Sequence, residues 1–266
     1  MKKQDFSWVS SFIYTKAKNK ITALENNSRV SDLIAAGGYG RVGYPVRPLF
    51  SIPFNRLLPN GLPVYNYIDG TETTTGVYFQ ERKKIDFLKY EGPTEPTDMG
   101  SFGNVFSYKN FKLNVFITYS FGNVIRLDPA YKTGYSDLNA TPREFWDAWT
   151  VPGEEAFTNI PVILDRRFIR NNSQYDYAYN AYNYSTETVA KGDFIRLKDI
   201  SLSYELPKYF VQSLKMNNLG VRFNVINPWL IYADKRLNGQ DPEFVNSGGV
   251  ALPIAKQYTL TLKMGF

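Results

Sequence analysis

The sequence predicts an all-β protein that is a segment of an antiparallel, membrane-spanning β-barrel. Residues 111–121 and the closing residues 256–266 alternate between apolar and polar side chains. Strand side chains point to opposite faces with a period of two, so each segment has one apolar and one polar face. Aromatic residues form 16% of the chain, which suits the aromatic girdles at the two interfaces of a membrane barrel.

The composition excludes several kinds of site. The 266 residues include no cysteine and no histidine, which excludes disulfides, zinc sites with thiolate or imidazole ligands, and Ser-His-Asp or Cys-His catalysis. The net charge of +6 is scattered rather than gathered into the patch that nucleic acid requires. Acidic pairs such as Glu154-Glu155 are interpreted as solvated loop charges. We therefore expect no enzyme, metal, cofactor or nucleic-acid partner.

Strands are predicted wherever side chains alternate or a short apolar run is bounded by turns. No apolar run approaches the about 18 residues of a membrane helix. The prolines at positions 45, 48 and 53 break one predicted strand, because proline cannot donate to a strand ladder. Residues 100–108 and 111–121 form the clearest hairpin, around the two-residue turn Lys109-Asn110. The other predicted strands are 5–15, 44–58, 62–68, 193–205, 219–233 and the closing strand.

A long loop is predicted over about residues 123–192, and long loops of this kind are often functional. A helix should begin there, with Thr141 as N-cap, Pro142 at the first helical position and Glu144 in the first turn. The candidate substrate or partner contacts are aromatic residues of this loop: Trp146, Trp149, Tyr175, Tyr177, Tyr179, Tyr182 and Tyr184. Their rings could stack on sugars. The alternative, which we favour, is that they pack the loop itself or its interface with a lid protein.

About nine strands are predicted in total, and this number bears on closure. Neighbours in an antiparallel barrel alternate in direction, so closure requires an even number of strands. We therefore expect the first strand to pair with a strand outside this chain. The N-terminus also has no apolar signal-peptide region. Both observations predict that residues 1–266 are the C-terminal portion of a longer barrel.

Four stretches of the chain carry a resemblance to a known family: residues 14–24, 100–123, 192–207 and the closing strand that ends in Phe266. The third stretch is the most specific and reads GDFIRLKDISLSYELP. Together they resemble the SusC/RagA-type TonB-dependent transporters of Bacteroidetes. One departure is Asn227-Pro228-Trp229, where the family has Asn-Leu; Pro228 removes a ladder hydrogen bond, so strand pairing should be disturbed there.

The resemblance implies an outer-membrane barrel of about 22 strands around a plug. It implies import of glycans or peptides with a SusD-like surface lipoprotein, driven by TonB through a plug that lies in the missing N-terminal segment. It also implies that outer-membrane assembly machinery reads the closing strand, whose apolar face carries Tyr258, Leu260, Leu262, Met264 and Phe266. Two alternatives stay open: a scaffold role for the same barrel in a secretion or assembly complex, and a soluble glycan-binding β-sandwich.

Overall fold

The computed structural model describes residues 2–3, 5–128, 131, 143–213, 215–244 and 255–266. The chain divides into two compact units. Unit 1 comprises residues 1–17, 96–123 and 191–266, and unit 2 comprises residues 18–95 and 124–190. The stretch predicted as one long loop therefore shares a unit with a second, earlier part of the chain.

The elements are named here in chain order. The strands are β1 (Lys2–Lys3), β2 (Phe6–Lys16), β3 (Pro48–Ser51), β4 (Phe54–Leu57), β5 (Pro63–Asn66), β6 (Glu72–Thr73), β7 (Lys89–Pro93), β8 (Asp98–Tyr108), β9 (Phe111–Phe121), β10 (Val124–Arg126), β11 (Val189–Lys191), β12 (Phe194–Glu205), β13 (Asn218–Ala233) and β14 (Gln257–Gly265). The α-helices are α1 (Val30–Leu33), α2 (Arg166–Asn171), α3 (Gln174–Asn183) and α4 (Lys208–Ser213). Short 3-10 helices span Ile68–Gly70, Arg143–Asp147, Glu154–Ala156, Thr186–Thr188 and Lys235–Leu237.

Unit 1 is built on one antiparallel sheet in the order β1-β2-β8-β9-β12-β13-β14. Among the described residues it holds seven strands, one of them only two residues long, rather than about nine. The predicted strands 44–58 and 62–68 lie instead in small sheets of unit 2, where β3 pairs with β7 and β4 pairs with β5. Prolines keep these segments too short to continue a long ladder.

The connections of the sheet differ at its two ends. At one end β8 and β9 are joined by residues 109–110 alone, and Lys109 has a φ of 51°. This confirms the predicted two-residue hairpin, whose favoured turns place residues in the left-handed region. Residues 206–217, with helix α4, join β12 to β13 at the same end. At the other end lie the long connections 17–97, 122–193 and 234–256.

The pairing of β12 with β13 is disturbed at the predicted place. Leu197 pairs with Trp229, but the next pair is Asp199 with Ile226, so Asn227 and Pro228 fall in a bulge. Asn227 has a φ of 52°. The ladder between β13 and β14 reaches Ile226, just before this bulge. The absent N–H of proline and the left-handed asparagine together explain the break.

Unit 2 has its own hydrophobic core. Its buried residues are Val30, Leu33, Ile34, Phe50, Ile52, Tyr65, Val77, Leu88, Ala181 and Tyr182. The last two come from α3, so the tyrosine-rich stretch is a helix that joins this core. The predicted N-cap Thr141 and Pro142 lie outside the described residues, and residues Arg143–Asp147 form a 3-10 turn. No helix in the described ranges is both long and apolar enough to span a bilayer.

Candidate functional site

One face of the unit 1 sheet is apolar across its six long strands. One cross-strand row consists of Trp8, Phe106, Leu113, Leu202, Phe223 and Leu260. The neighbouring row consists of Phe6, Tyr108, Phe111, Tyr204, Val221 and Leu262. Leu260 is 73% exposed and Phe12, on the same face, is 67% exposed. In the described part of the chain no second sheet buries this face, as a soluble β-sandwich would require.

The opposite face of the same sheet is mostly polar, although Val9 and Ile13 of β2 are also exposed on it. The row between the two apolar rows consists of Ser7, Ser107, Lys112, Ser203, Arg222 and Thr261. Asn114 Nδ2 donates to Asp199 Oδ1 at 3.0 Å, and Arg222 Nη2 donates to Ser201 Oγ at 3.2 Å. These side chains satisfy one another across neighbouring strands, which suits a wall that faces water on this side.

Aromatic residues mark both ends of the apolar face. Near the short connections, the rings of Phe111 and Tyr204 have centroids 4.5 Å apart. Toward the long connections, Phe12 stacks on Tyr119 at 6.2 Å. From Phe6 to Tyr14, β2 extends about 26 Å at about 3.3 Å per residue. At the strand tilt of about 40° found in membrane barrels, that length spans about 20 Å of an apolar band that is about 25 Å tall.

The closing strand β14 forms one edge of the sheet. Tyr258, Leu260, Leu262 and Met264 lie on its apolar face and are exposed, and Phe266 follows the end of the strand. The ring of Tyr258 stacks on Phe223 of β13 at 6.4 Å. Among the described residues, only one edge of β14 is paired with another strand. This strand therefore presents backbone N–H and C=O groups to a further strand.

The predicted tyrosine contacts are distributed between core and surface of unit 2. Tyr179 and Tyr182 are buried, and Tyr175 and Tyr184 are half-buried. Tyr177 is exposed. The burial of Tyr179 and Tyr182 agrees with the packing alternative for those two residues, and Tyr177 keeps a ring available at the surface.

A residue that sequence reasoning missed connects this aromatic cluster. Tyr131 lies 4.7 Å from Tyr179, 5.5 Å from Tyr182 and 4.9 Å from Phe145, measured between ring centroids. Burial raises the pKa of Tyr131 and of Tyr179 far above the usual range of tyrosine. Both hydroxyls donate to backbone carbonyls, those of Pro161 and Val162. In the sequence, Tyr131 is an isolated tyrosine in a polar stretch, and no periodic pattern there indicates that it belongs to this cluster.

The two predicted tryptophans have opposite environments. Trp149 is only 8% exposed, and its Nε1 donates to Glu155 at 3.0 Å. Its ring fills the space above Gly61, where an added Cβ would lie 2.5 Å from the ring. Trp146, three residues earlier, is 86% exposed. Trp149 therefore anchors this segment to unit 2, and Trp146 is displayed at the surface.

The carboxylates of Glu154 and Glu155 cap the turn beside these tryptophans. Glu154 Oε2 accepts from the backbone N–H of Thr150 at 2.7 Å and from that of Val151 at 3.2 Å. The hydrogen bonds from Thr150 lower the pKa of Glu154, and the hydrogen bond from Trp149 lowers that of Glu155. These acids are committed to loop structure, and the described residues contain no cluster of three or more metal-ligating side chains.

A buried arginine holds unit 2 together. Arg126 Nη1 donates to the carbonyl oxygen of Ser185 at 2.8 Å and to Thr188 Oγ1 at 3.0 Å. Its Nη2 donates to the carbonyl oxygen of Phe50 at 2.6 Å and to Ser51 Oγ at 3.0 Å. Burial lowers the pKa of Arg126 to about 10, so the guanidinium stays charged at neutral pH.

Curated proteins that match this chain in sequence are TonB-dependent receptors. No protein-family model matches the chain. TonB-dependent receptor P3 of Formosa agariphila is 24% identical over 227 residues, which are 78% of this chain and 20% of that receptor. TonB-dependent receptor P39 of the same organism is 27% identical over 158 residues, 58% of this chain and 14% of that receptor. The chain thus spans a fifth or less of the length of these curated relatives.

Solved structures of RagAB match the fold of this chain over its full length. The RagAB peptide transporter matches with a TM-score of 0.71 and 19% identity, covering 100% of this chain and 28% of that one. The RagAB peptide importer in its open-open state matches with a TM-score of 0.68. This chain resembles part of a SusC/RagA-type TonB-dependent transporter. The resemblance found in the sequence is confirmed, and the named relatives are receptors and transporters rather than enzymes.

Proposed function

We propose that this chain is the C-terminal wall and outer-loop portion of a SusC-like outer-membrane importer of glycans or peptides. The observation that carries the proposal is the apolar face that runs in register across all six long strands, from Trp8 on β2 to Leu260 on β14. In this SusC-like barrel the apolar face meets lipid and the polar face lines the lumen. The likeness to RagAB over the whole chain supports this arrangement.

The two kinds of connection give the barrel its orientation. Bacterial barrels have short periplasmic turns and longer extracellular loops. The turn at Lys109 would therefore face the periplasm, and the connections 17–97 and 122–193, which supply unit 2, would face outward. Unit 2 would contribute to the substrate vestibule and to the surface that a SusD-like lipoprotein covers.

The role of this portion in transport is passive. Within a bilayer every backbone N–H and C=O must be paired, so the outer edge of β14 must meet a strand from another segment. That segment would also hold the plug on which TonB acts. This chain supplies the wall, its assembly strand and the outer loops, and energy coupling resides elsewhere.

The orientation can be tested by cysteine labelling, because this chain has no cysteine of its own. Tyr78→Cys in unit 2 and Lys109→Cys in the hairpin turn are produced in the complete polypeptide, with any cysteine outside this chain replaced. A membrane-impermeant maleimide should label position 78 in intact cells and position 109 only after lysis. Labelling of position 109 in intact cells, with position 78 protected, would contradict the proposal.

Transport itself requires a second readout. Cells that lack the gene are compared with complemented cells for uptake of fluorescent oligopeptides and oligosaccharides. The importer proposal predicts that complementation restores uptake of at least one of these classes. Normal barrel assembly and labelling without any effect on uptake would favour the scaffold role instead.

A further inference from the structure

Part of the connection between β13 and β14 folds back against the polar face of the unit 1 sheet. Arg196 is the third residue of β12 and pairs with Thr118 of β9 on that face. Its Nη2 donates to Oδ1 of Asp241, and its Nε lies 3.0 Å from Oε2 of Glu243. The connection therefore lies on the polar side of the wall at this point, and not outside the sheet.

The charges that make this contact are largely closed to solvent. The side chains of Arg196 and Asp241 are 4% and 5% exposed. Those of Glu243 and Lys198 are 30% and 34% exposed, with Lys198 Nζ 3.7 Å from Glu243 Oε2. A buried ion pair often adds little stability compared with apolar residues of the same volume, and its best-attested role is to fix one arrangement of the chain.

An extra residue in β12 aims a second cation at the same connection. Leu197 pairs with Ile117 of β9, but Asp199 pairs with the next residue, Phe116. Lys198 is therefore the additional residue of a β-bulge, a feature that redirects a side chain. The wall is thus shaped locally to meet the acidic residues of the connection.

Further contacts tie the start of the connection to the same part of unit 1. Asp234 Oδ2 accepts from the N–H of Lys191, at the end of β11, at 2.9 Å. Leu237 is buried, and its carbonyl oxygen accepts from the N–H of Gln240 at 2.8 Å. Residues 234–244 therefore form a compact turn that is held at both of its ends.

We propose that residues 234–244 form a fixed ledge that narrows the lumen, and that Arg196 is the positioning residue that holds this ledge on the wall. Loops can obstruct the lumen of a membrane barrel, and the width and polar lining of a passage decide what enters it. The ledge lies at the end of the sheet that has the long connections. Lys198 and Glu243, its partly exposed pair, border the narrowed passage. The inference rests on the proposed function for the lumen and deepens it, because it assigns residues that limit the substrate path.

The first measurement is the distance between the ledge and the wall. Gln240→Cys and Lys109→Cys are spin-labelled in the complete polypeptide, with any cysteine outside this chain replaced. The distance between the two labels should have one narrow distribution. Arg196→Met should broaden it about twofold, because a segment that loses its ties samples more conformations. The control Arg222→Met removes an arginine of the same face that donates to Ser201, and it should leave the distribution unchanged.

The second measurement is access to the lumen beside the ledge. Thr118→Cys places a thiol next to Arg196 on the polar face. A small methanethiosulfonate and a bulky polyethylene-glycol maleimide are compared on the polypeptide purified in detergent. Arg196→Met should accelerate the bulky reagent about tenfold and the small reagent much less, because a wider passage admits larger molecules. Arg222→Met should change neither rate.

A second variant keeps the test decisive if Arg196→Met does not assemble, as judged by heat-modifiable gel migration. Asp241→Ala changes the connection and no strand, and it should give the same broadening and the same gain for the bulky reagent. An unchanged distance distribution in an assembled variant would overturn the inference. Broadening without faster reaction of the bulky reagent would also overturn it, because the turn would then not narrow the lumen.

Failure of the proposed function would appear in different experiments. Cysteine labelling at positions 78 and 109 tests the membrane orientation, and complementation tests uptake. Loss of either result, with both measurements on the purified polypeptide as expected, would overturn the importer proposal and leave the ledge standing.

Discussion

Arg126 donates a hydrogen bond of 2.8 Å to the carbonyl oxygen of Ser185, which lies 59 residues later in the chain. The same guanidinium reaches the carbonyl oxygen of Phe50, 76 residues earlier, at 2.6 Å. One buried side chain thus joins three segments of unit 2 that are far apart in sequence. The planar fork of arginine suits this role, because it donates several hydrogen bonds in fixed directions.

Replacing this arginine should destabilise unit 2. Arg126→Met removes four buried hydrogen bonds, although Thr188 still donates to the carbonyl oxygen of Ser185. We expect a loss of about 2–4 kcal/mol in the free energy of unfolding of the unit. Pulse proteolysis in increasing urea measures this change on the detergent-solubilised polypeptide. The control is Arg56→Met, which removes an exposed ion pair with Glu72 and should cost less than about 1 kcal/mol. Equal losses of stability in the two variants would contradict the role of Arg126 in joining the three segments.

Gly61 should tolerate a side chain poorly because of Trp149. Gly61 and Gly70 have nearly the same φ, +76° and +75°, so alanine meets similar backbone strain at both. A Cβ at Gly61 would lie 2.5 Å from the Trp149 ring, whereas nothing lies within 4 Å at Gly70. Gly61→Ala should therefore cost about 1–3 kcal/mol more than Gly70→Ala.

A double variant separates crowding from strain at this position. Trp149→Ala removes the ring that an alanine at position 61 would meet, so the extra cost of Gly61→Ala should fall in that background. Part of the cost should remain, because the same Cβ would lie 2.8 Å from the Cβ of Val162. Urea-dependent proteolysis of the unaltered protein, the two single variants and the double variant gives the coupling free energy between positions 61 and 149. An unchanged extra cost in the absence of the ring would show that the glycine is required for another reason.

The caps at Glu154 and Glu155 predict a pH dependence of the loop that displays Trp146. Hydrogen bonds lower the folded-state pKa of both carboxyls below the ordinary value of 4.5. Their stabilisation is therefore fully present above about pH 4.5 and is lost as the pH falls through the lowered pKa. Exchange of the Thr150 and Val151 amide protons, after correction for intrinsic rates, should accelerate below that pH.

Glu154→Gln is the control for this prediction. It removes the charged acceptor, so protection of the two amides should be weaker at neutral pH and should change little with acidification. Acid-induced loss of protection of the same size in this variant would assign the effect to another group.

The sequence predicted unit 1 much better than unit 2, for a physical reason. Alternation is a local property, so β9 was predicted at Phe111–Phe121 and β12 within one residue of its observed start. The two residues that form the turn at Lys109 are also adjacent in sequence, so the hairpin could be predicted in the same way. The core of unit 2 is assembled from residues 18–95 and 124–190, and no periodicity within one segment reports a contact such as that between Arg126 and Phe50.

The environments of the candidate contact residues could not be predicted from local sequence either. Seven aromatic residues were selected by type, but their environments depend on distant partners. Tyr65 in β5 donates to the carbonyl oxygen of Ala178 in α3 at 2.7 Å, which fixes the helix on the core and buries its Tyr179 and Tyr182. The spacing of tyrosines alone could not distinguish these from exposed Tyr177.

A charge on the apolar face should be far more damaging than the same charge on the polar face. Ile200 pairs with Val115 and Val225 on the apolar face, midway between its two aromatic ends, whereas Thr259 of β14 lies on the polar face and pairs with Asn224. In the complete polypeptide, Ile200→Arg should destabilise the barrel by about 2–4 kcal/mol, the cost of an arginine facing the middle of a bilayer. Thr259→Arg, which faces the polar side, should have little effect. Heat-modifiable gel migration against temperature compares the two.

The most direct measurement of the central claim is the solvent that touches successive side chains of β9. Single cysteines at positions 112, 113, 114 and 115 are spin-labelled in the complete polypeptide reconstituted in bilayers. Labels at Leu113 and Val115 should collide mainly with oxygen, which concentrates in lipid, and labels at Lys112 and Asn114 with a water-soluble nickel complex. Restricted access of both reagents at 113 and 115 would instead place this row in a protein core and contradict the membrane-wall account.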